Sequence, residues 1–466
     1  MTRAKKIYLL LGILIFACIA TLIVVQVEDR KEQISNSDAV ILEVPADSVQ
    51  SLSWEYEDTA LAFHKEDTWL YDADGAFPVN EEKINELLEQ FQEFKVSFTI
   101  EGVEDYAQYG LDDPLCTIRF ATGDQSYEVL LGNYSDMDSQ RYVSIGDGNV
   151  YLAAEDPWSS FEVVLSDMIK HDEIPEFDTV GGIQFSGAES YSITYEENNS
   201  IDTYCADDVY FTQRDGKNMP LDTSRVDSYL ENISSLGLTD YVTYNASEED
   251  LQAYGLDTPE LVITVNYTAE NEAGEALSNT FVLNVSRALG ERQDAEGTDG
   301  ASDEEFTAYA RVGASQIVYQ IAAEDYEALM EASYDSLRHL EVLSAAFEDI
   351  YQFDISLEGA NYTITTEEQD DGKHYYYQEN ELEIADLQSA IEGLRADSFT
   401  GEQPTQKEEI SLTVHLENEH HPEVQIKLYR YDGDHCLAMV DGEPVSLVGR
   451  SYVVDLIEAV NAIVLN

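Results

Sequence analysis

One short turn occurs twice in this chain. QYGLDDP fills residues 108–114, and AYGLDTP fills residues 253–259, 145 positions later. The repeated residues are Tyr109, Gly110, Leu111, Asp112 and Pro114, then Tyr254, Gly255, Leu256, Asp257 and Pro259. Glycine supplies backbone freedom, aspartate can bond local amides, and proline sets the exit direction. LCTIRF follows the first turn and ELVITV the second, and both read as strands. Whatever fold houses this turn is therefore built at least twice. At 466 residues the chain exceeds one ordinary core, so two to four domains are expected.

The likeness continues past the turns. YEVLLGN at 127–133 corresponds to FVLNVSR at 281–287, and RYVSIGDGNVYLAAED at 141–156 to AYARVGASQIVYQIAAED at 308–325. The second copy is 24 residues longer over this stretch, because Asp156 and Asp325 are 169 apart. The acidic segments NEAGEALSN and ERQDAEGTDGASDEE account for the surplus as longer hairpin loops on an unchanged core. Upstream, Ile84, Leu87, Leu88, Phe91 and Phe94 form one helical stripe capped by Asn80, and Val226, Leu230, Ile233 and Leu236 repeat it. A third copy without the turn reads through ELEIADLQSAIEGL, the strands EISLTVHLE and VQIKLYRYDG, and a terminal helix from SYVVDLIEAVNAIV. Strands arriving in runs with short turns such as GDGN and DGE predict an α+β class: three tandem related units, each an antiparallel sheet with two packed amphipathic helices. The units are expected at 46–175, 176–343 and 344–466.

Ile7 to Val27 carries no charge, which matches the roughly 20 apolar residues that cross a bilayer as a helix. A cleaved signal peptide has a shorter apolar core and a small-residue cleavage site, so an uncleaved N-terminal transmembrane helix is the preferred reading. Lipidation at Cys18 would leave the apolar run beyond it without purpose. Arg3, Lys5 and Lys6 precede the span, which places residues 1–6 in the cytoplasm as a stub. A juxtamembrane linker at 28–45 and the three units then lie outside the membrane. From Glu32 onward 19 basic residues face 92 acidic ones, a balance of −73, once Arg3, Lys5, Lys6, Arg30, Lys31, Glu28 and Asp29 are set aside from the totals of 24 and 94. That field repels nucleic acid, which is excluded as a partner.

The N-terminal anchor, the turns at Tyr109 to Pro114 and Tyr254 to Pro259, LLGN at 130–133 and RYV at 141–143 resemble the bacterial family called domain of unknown function 4340. The resemblance covers most of residues 60–340. It implies an envelope protein of the cell membrane with no assigned activity, associated with ABC-type transporter subunits or other envelope proteins. It implies no catalytic residues.

No residue pattern adds chemistry to this. His415, His420 and His421 in HLENEHHPE, with His435 beside Cys436, divide between a strand and a loop, and zinc spacings such as H-E-x-x-H are absent. Counting from Asp72 in YDADG, the sixth residue is Phe77 and the twelfth Lys83, so the calcium loop fails. YDADG, SDMDS and YDGDH read instead as hairpin turns. Gly181-Gly182 reads as a linker-to-strand turn. Cys116, Cys205 and Cys436 form neither a disulfide framework nor a zinc site, and Cys116 reads as a small buried hydrophobe. Nucleophile elbows and phosphate loops are missing. Tyrosines, 30 in all and clustered in HYYYQ at 374–378, read as strand residues with one wet end rather than a stacking platform. The expectation is a non-enzymatic, cofactor-free, single-pass scaffold or accessory protein tied to an ABC-type transporter. The alternative is an envelope receptor that holds a cationic or carbohydrate ligand in a cleft between units.

Overall fold

The computed structural model describes residues 39–465 except 200, 271–273, 296–305 and 370–371. The expected anchor at Ile7 to Val27 lies outside the described residues. Among those described, no helix is long and apolar enough to cross a membrane. The described residues divide into two compact units, with the boundary between His171 and Asp172.

The first unit holds β1 (Ala39–Leu42), β2 (Val49–Tyr56), β3 (Thr59–Lys65), β4 (Trp69–Tyr71), β5 (Phe94–Ile100), β6 (Cys116–Thr122), β7 (Ser126–Ser135), β8 (Gln140–Ser144) and β9 (Val150–Ala153). They form one sheet in the order β1-β5-β9-β8-β7-β6-β2-β3-β4. The second unit holds two sheets. One contains β10 (Thr179–Gly187), β11 (Tyr191–Tyr195), β12 (Tyr210–Arg214), β13 (Lys217–Pro220), β14 (Tyr241–Thr243), β15 (Leu261–Glu270), β16 (Ala276–Arg287), β17 (Ala308–Val312) and β18 (Val318–Ile321), ordered β13-β12-β11-β10-β15-β16-β17-β18-β14. The other contains β19 (Ile350–Leu357), β20 (Ala360–Gln369), β21 (Gly372–Tyr377), β22 (Asn380–Leu382), β23 (Ala396–Phe399), β24 (Glu408–Leu416), β25 (Glu423–Arg430), β26 (His435–Val440) and β27 (Glu443–Gly449), ordered β22-β21-β20-β19-β24-β25-β26-β27-β23.

The last two orders are identical when counted from the first strand of each sheet. The first sheet matches them over eight strands, β4-β3-β2-β6-β7-β8-β9-β5. Its ninth strand, β1, joins the opposite edge from the one that β13 and β22 occupy. Neighbouring strands run antiparallel, both in hairpins such as β6–β7, where a short turn requires it, and in β2–β6, β10–β15 and β19–β24, which pair across long connections. Three α+β modules of one topology thus follow each other, and the third has that topology without the repeated turn.

Helices fill the same two places in each module. α1 (Glu81–Glu89), α2 (Thr223–Ser234) and α4 (Ala385–Glu392) precede the equivalent strands β5, β14 and β23, of which β14 and β23 are short edge strands while β5 is covered by β1. α3 (Ala323–Met330) and α5 (Arg450–Leu465) follow the last hairpins of the second and third modules and pack against α2 and α4. In the first module a single helical turn, Trp158–Phe161, takes that place, and Phe161 meets the rings of Trp54 and Phe91 at 5.6 and 5.9 Å. Asn80 caps α1 by accepting from the Lys83 amide at 3.1 Å. Strand alternation buries one face of each sheet, as Ile410, Leu412, Val414 and Leu416 do on β24. Each such side chain contributes about 1.5–3 kcal/mol on leaving water.

Four local expectations are corrected. The apolar stripe from Ile84 to Phe94 is buried throughout, but the helix ends at Glu89, and Phe94 belongs to β5. The periodicity persists because strand and helix cover the same core. Gly181-Gly182 lies inside β10 at an irregularity in register, where a Cβ on Gly182 would stand 2.7 Å from the Ile193 carbonyl oxygen. Glycine there admits a close backbone approach. YDADG is not a hairpin turn, for it leads from edge strand β4 toward α1, and Asp72 accepts from His64 Nδ1 at 2.6 Å. Finally, the surplus in the second module is partly strand. The β15–β16 hairpin pairs ten residues against six in β6–β7, because added residues that continue a ladder satisfy their backbone groups.

Candidate functional site

The repeated turns are structural seats. Gly110 and Gly255 take the left-handed conformation, at φ 68° and 71°, and Leu111 and Leu256 are buried behind them. Tyr109 packs on Tyr142 with ring centres 4.9 Å apart, and Tyr254 on Tyr309 at 4.6 Å. Pro114 and Pro259 lead into β6 and β15. Asp112 and Asp257 are exposed, and among the described residues their carboxylates accept no amide; the geometry rests on glycine instead.

Each seat is locked differently. In the first module Arg141, nearly buried, binds both oxygens of Asp156 at 2.7 and 2.9 Å and the Gly132 carbonyl at 2.8 Å. In the second, Arg287 binds Glu260 at 2.7 Å, and Arg292 donates to the carbonyls of Gly255 and Thr258 at 2.5 and 2.8 Å. Burial pushes the Glu260 pKa up, but bonds from the Arg287 side chain and amide and from the Tyr326 hydroxyl outweigh it, so the carboxyl sits below its ordinary value. A depressed folded pKa stabilises fully above the unfolded value, and that contribution is lost as pH falls through the folded one. The gap in urea midpoint between wild type and Glu260→Gln is therefore expected to be widest near neutral pH and to close below about pH 4. A gap constant from pH 7 to 3 would contradict this.

The strongest convergence of chemically capable groups lies where the second module hands over to the third. The segment 340–342 pairs with 394–396 through Val342 N to Leu394 O and Ala396 N to Leu340 O, at 2.9 and 2.7 Å. The β11–β12 loop reaches the same place, setting Tyr204 against the core of the third module. The start of α2 is drawn in by the Asp222 amide on Leu337 O at 3.0 Å and by Arg225 Nε on Ser336 O at 2.7 Å.

His339 stands at the centre. Its Nε2 lies 2.8 Å from Asp208 Oδ1, and Thr203 donates to Asp208 Oδ2 at 2.7 Å. Asp208 is 1% exposed. The opposite ring nitrogen, Nδ1, faces Asp222 Oδ2 at 3.9 Å and Glu341 Oε2 at 3.8 Å. The remaining oxygens of those two carboxylates are committed. Asp222 Oδ1 caps α2 at the amides of Ser224 and Arg225, and Glu341 Oε1 pairs with Arg395 at 2.9 Å. Burial opposes charge on the ring, but Asp208, Glu341 and Asp222 outweigh it and raise the His339 pKa to about 9. His339 in turn, against burial and with help from Arg395, lowers Glu341 to about 2. Cys205 lies on the Nε2 side, where burial and the Asp208 charge push its thiol up to about 12.

The histidines singled out in the sequence do not converge. His415 bonds Asp354 at 2.8 Å, His421 turns to the Ile201 carbonyl at 3.0 Å, and the amides of His420 and His421 both bond Asn418. His435 pairs with Asp432 within its own hairpin, and Cys436 is buried, as is Cys116. Sequence reasoning missed His339 because its partners lie 131, 117 and 2 positions away, and no spacing rule joins them. In the first unit a cleft of about 380 Å³ borders Phe94, Glu93 and Lys95, the latter two paired at 2.7 Å.

One family's sequence model, described as Domain of unknown function (DUF4340), matches residues 69–259 and again 212–413. No curated protein and no solved structure matches the chain.

Proposed function

This chain belongs to the DUF4340 family, and from that premise we propose that it acts as a non-enzymatic, membrane-anchored scaffold or accessory protein outside the cytoplasmic membrane, associated with an ABC-type transporter. The observation that carries the reading is the threefold use of one strand order, with the second and third modules fastened through the His339 cluster and the 340–342 pairing. Repeated rigid modules offer extended docking surface without requiring a reactive centre. An apolar run at Ile7 to Val27 supports tethering, which raises the local concentration near membrane partners. The −73 balance beyond Glu32 supports an exposed, solvated location.

Crosslinking in intact cells, followed by purification of the full chain in mild detergent, tests the proposal. Transporter subunits are expected among the crosslinked species. Recovery of this chain alone, under crosslinking that captures other envelope complexes, would count against it.

A further inference from the structure

We propose that His339 Nδ1, Asp222 Oδ2 and Glu341 Oε2 form a binding site for one divalent transition-metal ion, of the zinc or manganese kind, at the junction of the second and third modules. This stands independently of the scaffold role.

The donor separations, which are those of ion pairs, leave room for an ion between them. Nitrogen and oxygen 3.8–3.9 Å apart are beyond hydrogen-bond range, which ends near about 3.2 Å. An ion about 2.1 Å from each donor requires donors roughly 3.0–4.2 Å apart. Both separations fall inside that interval.

The surroundings orient the donors as a metal site does. A ligating histidine characteristically gives its other ring N–H to a carboxylate, which sets the tautomer and strengthens the free nitrogen as a donor. Asp208 occupies that place on Nε2, buried and held from behind by Thr203. Nδ1 is thereby directed toward Asp222 and Glu341. Each of these has one oxygen employed elsewhere, by the α2 cap or by Arg395, and turns its other oxygen to the ring. Three carboxylates against Arg395 and the imidazolium leave one net negative charge, and a divalent cation that displaces the Nδ1 proton brings the cluster to neutrality. Imidazole with carboxylates suits zinc or manganese, whereas calcium favours oxygen alone. Cys205 is not included, since the Nε2 edge is already taken by Asp208 and a protonated thiol is a poor ligand.

The full chain in detergent is titrated with Mn²⁺ alone, and separately with Zn²⁺ alone, at physiological salt. One saturable ion per chain is expected, with the Mn²⁺ spin-echo signal modulated by a directly bound imidazole nitrogen. Asp222→Asn preserves the helix cap and removes the charge, and should weaken binding at least tenfold; Asp208→Asn should weaken it about 10- to 100-fold. Asp138→Asn, on an exposed hairpin, should leave it unchanged. Glu341→Gln provides a second ligand variant should Asp222→Asn not fold. Binding that is unsaturable, lacks nitrogen modulation, or is equal in the ligand variants and Asp138→Asn would overturn the proposal, because the acidic surface alone would then account for it.

Discussion

Arg141→Ala is expected to destabilise the first unit by about 3 kcal/mol, the largest single effect there. The guanidinium holds both oxygens of Asp156 and the Gly132 carbonyl, with the Arg141 side chain 8% and the Asp156 side chain 25% exposed. Removing it leaves a partly buried carboxylate whose remaining protein partner is the Trp158 amide at 3.0 Å. Loss of one partner from such a pair costs far more than loss of both. Arg141→Lys keeps the charge but not the fork, so an intermediate loss is expected. Urea denaturation with hydrogen exchange, which separates residues 39–171 from the rest, provides the measure. A loss below about 1 kcal/mol for the alanine variant would show that solvent satisfies Asp156 readily.

The second large effect is expected from His339→Ala, again about 3 kcal/mol or more, but in residues 172–466. Asp208 is more deeply buried than Asp156, and without the ring its carboxylate keeps only the neutral donors Thr203 and Cys205 among the described residues. The double variant His339→Ala with Asp208→Asn should recover part of the loss, because the amide is neutral when buried. Additive losses in this cycle would mean that the two groups do not act as a pair. Hydrogen exchange at 340–342 and 394–396 should rise with the single variant, since those amides close the junction. Unchanged protection there would show that the ladder holds without the cluster.

The two ion-pair centres illustrate how the repeats diverged while the fold did not. Arg141 aligns with Ala308, so the second module lacks that arginine, and Arg287 with Glu260 serves beside the equivalent turn. Matching turns were legible because Tyr-Gly-Leu-Asp-x-Pro is contiguous and its glycine answers a local backbone demand at φ near 70°. The salt bridges were not, because many arginine and carboxylate pairings satisfy the same electrostatic need. Similarly, the third module was faint in sequence yet has the strand order of the second, since alternation of Ile410, Leu412, Val414 and Leu416 suffices to build a ladder without any shared motif.

What the sequence determined by itself was local: the cap at Asn80, the left-handed glycines, the strand alternations, and through them an α+β module used three times. These follow from interactions within a few residues, where propensity, capping and turn chemistry act directly. Only the tertiary structure decided that Asp208, Asp222, His339 and Glu341 meet, that β1 closes the opposite edge of the first sheet, and that a surplus segment becomes strand. Such meetings depend on how packed layers bring distant loops together, and in a chain with 94 acidic side chains no spacing marks which three will surround one imidazole.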